Sequence, residues 1–145
     1  MTVTDLYTYA LKLLRTRDHT VAMLRKRIEN KFGEAPEELI QQLLKKNFLN
    51  DRRFAENYVA CRQERGEALL REELGSRGVS SDIVDTVLSA TDWPSLTEAL
   101  AAKMRDWKLR APLQSRDAAR LFRALLRLGY DEDAIRDQLE NLREP

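Results

Sequence analysis

Apolar residues recur along this chain in short ladders built from steps of four. In the middle third the rungs are Leu70, Leu74, Val79, Val84 and Leu88. A shift of 51 positions carries them onto Leu121, Leu125, Tyr130, Ile135 and Leu139, and carries Gly78 onto Gly129. The first third holds a related ladder, Leu24, Ile28, Phe32, Ile40 and Leu44, with a longer connection around Gly33 and Pro36. Steps of four place side chains on one helix face. A glycine between two such steps supplies the left-handed residue that ends a helix. Each ladder therefore predicts two helices joined by a turn, with Val79 or Tyr130 filling the corner.

A further amphipathic stretch precedes each pair: Leu6, Ala10, Leu11 and Leu14; then Phe54, Ala55, Tyr58 and Val59; then Leu96, Leu100, Met104 and Trp107. The pattern thus predicts nine helices in three triplets. Ser80 and Asp131 stand where the last helix of a triplet needs an N-cap, with Asp82, Glu132 and Asp133 in the first turn. Thr20 and Asp51 are expected N-caps as well, and Pro94, after Asp92-Trp93, suits a helix's first turn. Residues 111–115 (Ala-Pro-Leu-Gln-Ser) read as a loop. The expected fold is all-α, with three-helix repeats at 1–49, 50–91 and 92–145. Because such units stack on their neighbours, an elongated, curved array is expected.

Composition agrees with helix. Hydrophobic residues make up 43% of the 145, enough for a core, and charged residues 34%, which implies much solvated surface. Aromatic residues are only 7%, and there are 5 Gly and 4 Pro, fewer turn formers than a sheet protein of this length needs. One cysteine, Cys61, excludes an internal disulfide; its position reads as a helix residue in a reducing compartment. No apolar run is long enough to span a bilayer, and Met1-Thr2-Val3-Thr4-Asp5 lacks the form of a signal peptide. A cytoplasmic location is expected, with no membrane association and a monomeric state.

Catalytic chemistry finds little support. The one histidine, His19, reads as a polar residue at a helix start, and it has no second histidine with which to bind a metal or share a proton. There is no phosphate-cradling glycine loop, elbow serine or paired-cysteine motif. Most carboxylates neighbour an Arg or Lys at helical spacing, as on a solvated face. No catalytic residue, metal ligand or cofactor is expected, and Trp93 and Trp107 read as packing residues.

The net charge of +1 conceals local asymmetry. From Lys103 to Arg127 eight basic residues face two acids, Asp106 and Asp117; from Lys12 to Lys31 seven face Asp18 and Glu29. The last helix is acidic, with Asp131, Glu132, Asp133, Asp137, Glu140 and Glu144 against Arg136 and Arg143. Arg116, Arg120, Arg123 and Arg127 are the sharpest feature. At about 100° per residue they fall within an arc of about 60°, opposite Leu121 and Leu125. The same register in the middle third holds Arg65, Leu69, Glu72 and Ser76, so the repeat does not require the stripe. An ordinary solvated face and a surface for phosphates or an acidic protein are both compatible with it. Lys26 and Arg27, then Arg62 and Arg65, are secondary candidates.

The block from Asn50 onward adds a resemblance. Asp51, Arg53-Phe54-Ala55, Tyr58-Val59, Arg62, Arg65-Gly66, Leu70, Glu73-Leu74 and Arg77-Gly78-Val79 resemble the signature of the RecX family. Ala10, Leu14, Arg17, His19-Thr20, Leu24 and Ile28 are similar to its opening helices, and Trp93, Lys108, Arg123, Gly129-Tyr130 and Ile135 to its closing repeat. Phe32-Gly33 reverses the usual glycine–aromatic order, and Leu109 replaces a common aromatic. Phe54 is expected in the core and Arg53 in an internal ion pair. The resemblance implies a non-enzymatic regulator of recombination, DNA repair and the SOS response. Such a regulator binds along the RecA–DNA filament. There it modulates, mostly by inhibition, filament growth, ATP hydrolysis, strand exchange and co-protease activity. Its partners are the RecA filament and single- or double-stranded DNA reached through basic patches. A stand-alone nucleic-acid-binding helical protein and a helical-repeat adaptor for another protein remain open alternatives.

Overall fold

The computed structural model describes residues 2–143; Met1 and Glu144, which enter the sequence reading above, lie outside them. The described residues form nine α-helices: α1 (Val3–Thr16), α2 (Val21–Phe32), α3 (Glu37–Lys45), α4 (Asp51–Ala60), α5 (Glu67–Ser76), α6 (Ser81–Ser89), α7 (Leu96–Asp106), α8 (Ser115–Arg127) and α9 (Glu132–Glu140). A 3-10 turn, Gln63–Arg65, separates α4 from α5. The only β-type pairing among the described residues is an isolated bridge between Leu113 and Arg143. The chain divides into two compact units, one of Met1–Cys61 with Arg71–Thr91, the other of Arg62–Leu70 with Asp92–Pro145.

The first unit buries Leu6 and Ala10 of α1, Leu24 and Ile28 of α2, and Leu39, Ile40 and Leu43 of α3, with Leu49 beyond them. Leu44, expected as a rung, is instead 37% exposed. Ile40 is buried as a rung, but the buried face of α3 runs through Leu39, Ile40 and Leu43, which leaves Leu44 at its edge. In the same unit α4 packs along α6, burying Phe54, Ala55, Tyr58 and Val59 on one side and Val84, Val87 and Leu88 on the other. The Phe54 and Tyr58 rings stack at 5.8 Å, and the Tyr58 hydroxyl donates to the Glu73 carboxylate.

Helix ends are tied together across long sequence separations. Thr20 caps α2, its hydroxyl accepting from Met23 N–H at 3.1 Å while donating to the Arg77 carbonyl at 2.5 Å beyond α5. Asp51 proves not to be the N-cap of α4. Asn50 takes that role, accepting from Arg53 N–H at 3.0 Å, and Asp51 accepts from Val21 N–H at the start of α2, at 2.9 Å. Each interaction satisfies an otherwise orphan helix-terminal group. Arg53 is half-buried and forms no internal ion pair among the described residues: its guanidinium donates to the carbonyls of Asn47 and Phe48 in exposed hydrogen bonds. Cys61 is not in the helix but caps the C-terminus of α4, and it is exposed.

The second unit is centred on Ala99 and Leu100 of α7, Leu113, Leu121 and Leu125 of α8, and Ile135 and Leu139 of α9. Trp107, Phe122 and Leu128 pack around these residues. Helix α7 starts later than expected: Ser95 is its N-cap, accepting from Glu98 N–H at 3.1 Å, and Pro94 lies outside it. The Pro94 carbonyl accepts from the Tyr130 hydroxyl at 2.6 Å, and burial raises that phenol's pKa. Ser115, read as loop, begins α8.

The repeat register appears in backbone detail. The bounds of α6 shifted by 51 are those of α9. Gly78 (φ 84°) and Gly129 (φ 99°) end the preceding helices in the left-handed region. Val79 N–H donates to Leu74 C=O as Tyr130 N–H does to Leu125 C=O. Ser80 and Asp131 cap through Ile83 and Ala134 N–H. Sequence similarity at a fixed offset has here become the same hydrogen bonds at that offset.

His19 is buried at 2% exposure between α1 and α2. Its Nδ1 lies 2.9 Å from the Arg17 carbonyl, to which the neutral tautomer donates, while Nε2 has no partner among the described residues. Burial lowers its pKa below the ordinary 6.5. The unfolded imidazole therefore binds a proton before the folded one does, and acid favours unfolding. Stability is expected to fall as pH drops through 6.5 and to level off below the folded-state pKa. Urea titrations between neutral and mildly acid pH check this, and His19→Gln should flatten the slope. Glycine chemistry gives a second expectation. A Cβ at Gly78 would lie 2.3 Å from the Cβ of Ala22, whereas one at Gly33 (φ 92°) meets nothing. Gly33→Ala should cost about 1 kcal/mol for its left-handed φ alone. Gly78→Ala should cost on the order of 3 kcal/mol, because strain and overlap combine. Chemical denaturation of both variants compares them directly.

Candidate partner-binding surface

Helix α8 buries Ala118, Leu121 and Leu125, and that burial turns Arg116, Arg120, Arg123 and Arg127 outward, all four exposed. The stripe is not uniform. The Arg120 guanidinium lies 4.4 Å from the Trp107 ring centroid and 3.9 Å from the Asp117 carboxylate. It is held by a cation–π contact on one side and a weak ion pair on the other. Arg116, Arg123 and Arg127 make no ion pair among the described residues. Their N–H donors face solvent, and a guanidinium in that state takes carboxylate or phosphate bidentately.

Trp107 owes its position to the end of α7. It is the C-cap, Lys108 follows in the left-handed region (φ 57°), and Leu109 N–H returns to the Met104 carbonyl at 2.8 Å. The half-buried ring thus packs on the core while presenting a face to Arg120, with the Lys103 ammonium 5.7 Å away. The sequence reading of Trp107 as a packing residue left out this second role. The tryptophan and the arginine are 13 positions apart, on different helices.

The secondary candidates separate by unit. Lys26 and Arg27 are exposed on α2 in the first unit. In the second, Arg62 precedes the 3-10 turn and Arg65 is its last residue, and both are engaged with neighbouring groups. That turn ends at Gly66 (φ 84°), where a Cβ would lie 2.8 Å from Leu128 Cδ2. The Arg62–Arg65 segment therefore abuts the end of α8, and the middle-block arginines share a unit with the stripe. Arg136, Arg143 and Phe122 were missed. The helix bearing Arg136 counts as acidic, and Phe122 is not a rung of the apolar ladder, yet all three line one groove beside α8.

Among the described residues no three or more His, Cys, Asp or Glu side chains are grouped to hold a metal ion. No helix among them is long and apolar enough to cross a membrane. A double-mutant cycle checks the positioning of Arg120. Trp107→Leu and Arg120→Ala should couple by roughly 0.5–1 kcal/mol. Trp107→Leu and Arg116→Ala should be additive in urea denaturation.

Comparison with known proteins bears on this geometry. A family model described as RecX, second three-helix domain, matches residues 50–88. A protein named Regulatory protein RecX from Trichlorobacter lovleyi is 34% identical, covering 94% of this chain and 94% of its own length. Another of that name from Halorhodospira halophila is 33% identical over 88% of this chain and 81% of its own length. Among solved structures, RecX from Lactobacillus salivarius matches with a TM-score of 0.72 at 18% identity, over 96% of this chain and 97% of that one. A second RecX crystal structure matches with a TM-score of 0.68 at 18% identity, covering 96% of this chain and 71% of its own. The structural likenesses carry the all-helical fold, and the sequence relatives carry descent: the chain belongs to the RecX family of regulatory proteins.

Proposed function

We propose that this chain binds the RecA–DNA filament and restrains it, limiting filament growth, ATP hydrolysis, strand exchange and co-protease activity without catalysis of its own. The observation that carries this reading is the α8 stripe, an exposed arginine face opposite a buried one. It belongs to a chain whose relatives are regulatory proteins. A filament offers repeating carboxylates on its protomers and phosphates on its DNA, and a row of guanidiniums can engage either. Lys26 and Arg27 add a second basic patch on the first unit. Contacts from both units are linked by one chain, so several modest interactions reach high avidity together. A ligand that prefers one filament state shifts the population toward it, which is how binding becomes regulation.

ATP hydrolysis by the cognate RecA on single-stranded DNA, titrated with this protein, tests the reading. The native chain should inhibit. Arg116→Glu/Arg127→Glu, which spares the arginine stacked on Trp107, should need at least about tenfold more protein for the same effect, because two charge-assisted contacts are reversed. Circular dichroism should be unchanged. Absence of any effect from the native chain would overturn the proposal; full inhibition by the variant would move the contact off α8.

A further inference from the structure

Between α8 and α9 runs a groove of about 460 Å³. Its floor is apolar, made by Ala119 and Phe122 of α8 and Leu139 of α9. Its rim carries Arg123, Arg136 and Arg143 against one acid, Glu140. One turn beyond Phe122 on α8, Leu126 is 43% exposed, so the apolar strip continues past the groove.

The guanidiniums are held ready rather than used up. Arg136 lies 5.5 Å from the Phe122 ring centroid and pairs with Glu132 at 2.6 Å. Arg143 donates to Ser115 Oγ at 3.1 Å, with Glu140 at 3.9 Å. Arg123 makes no ion pair among the described residues. Each guanidinium has five N–H donors, so all three retain donors for an incoming anion.

Packing does not demand this set. At the shift of 51 that carries α6 onto α9, Glu72, Asp85 and Asp92 stand where Arg123, Arg136 and Arg143 stand. Arg71 replaces Phe122 there and ion-pairs with Asp85. The same helix pair is thus built with the opposite charge and without the aromatic ring. An apolar floor under a basic rim is particular to α8 and α9.

We propose that this groove binds a short acidic peptide segment of a partner protein. An apolar side chain of the segment packs on Phe122 and Leu139, and flanking carboxylates meet Arg123, Arg136 and Arg143. A nucleobase fits less well, because the groove offers no Asn or Gln to read a base edge. This ligand chemistry stands whether or not the partner is the recombinase filament.

Fluorescence anisotropy tests it, using a fluorescein-labelled acidic peptide with a central phenylalanine. Three controls are the peptide with alanine for phenylalanine, the peptide with lysines for its acids, and a single-stranded oligodeoxythymidylate. The acidic phenylalanine peptide should bind at least about tenfold tighter than any control. Arg136→Glu should weaken it by a similar factor. So should Ala119→Glu, a change at an exposed helix position that sets a carboxylate one turn before Arg123. Lys12→Glu, on α1, should leave binding unchanged, and all three variants should keep the native circular dichroism. Amide shifts on titration should concentrate in α8 and α9. No binding, indifference to the peptide's phenylalanine or to Ala119→Glu, or a preference for the oligonucleotide would each overturn the proposal.

Discussion

Burial of Ala118, Leu121 and Leu125 sets the rotation of α8 about its own axis, and the character of the second unit's surface follows from it. A helix turns about 100° per residue, so slipping by one position would carry arginines into the core and leucines into water. Desolvating even one guanidinium without a partner costs several kcal/mol, which makes that register secure. The four arginines are therefore held on one face by the buried residues on the other. Trp107 refines the arrangement by holding Arg120 against its ring, while Arg116, Arg123 and Arg127 make no ion pair among the described residues.

The paired helices show how one backbone plan carries different chemistry. Glycine, apolar rungs and caps repeat between α5–α6 and α8–α9, because these elements end helices and fill the space between them. The outward positions are under no such constraint. One pair carries Arg71 against Asp85, and the other Phe122 under Arg136. Conserved geometry with divergent surface is the pattern expected where a fold is a platform and its sites are added to it.

Most of the fold was legible in the sequence because most of it is local. Thr20, Ser80 and Asp131 cap helices that start within three residues of them, and Gly78 and Gly129 end helices through hydrogen bonds spanning a turn. The errors share a cause in distant partners. Asp51 has the chemistry of an N-cap but spends it on Val21, 30 residues away. Pro94 could open a helix, yet its carbonyl is fixed by Tyr130 across 36 residues. Arg53 found carbonyls where charge alone suggested a carboxylate. The stripe on α8 was readable because one helix carries it whole. The groove was not, because the rest of its lining comes from α9 and the residues just after it, where counting charge hid Arg136 and Arg143 among acids.

The two compact units are both discontinuous in sequence. The chain leaves the first at Cys61, contributes Arg62–Leu70 to the second, returns for Arg71–Thr91, and only then completes the second. A ribosome emitting this chain cannot release a finished first unit until Thr91 has emerged, by which point the first strip of the second is already made. Neither unit can be excised as a contiguous cassette, and a single nick anywhere from Arg62 to Thr91 cuts through at least one of them. Modularity in this protein thus belongs to the repeating pattern of its helices, and the units of cooperative folding are interleaved across it.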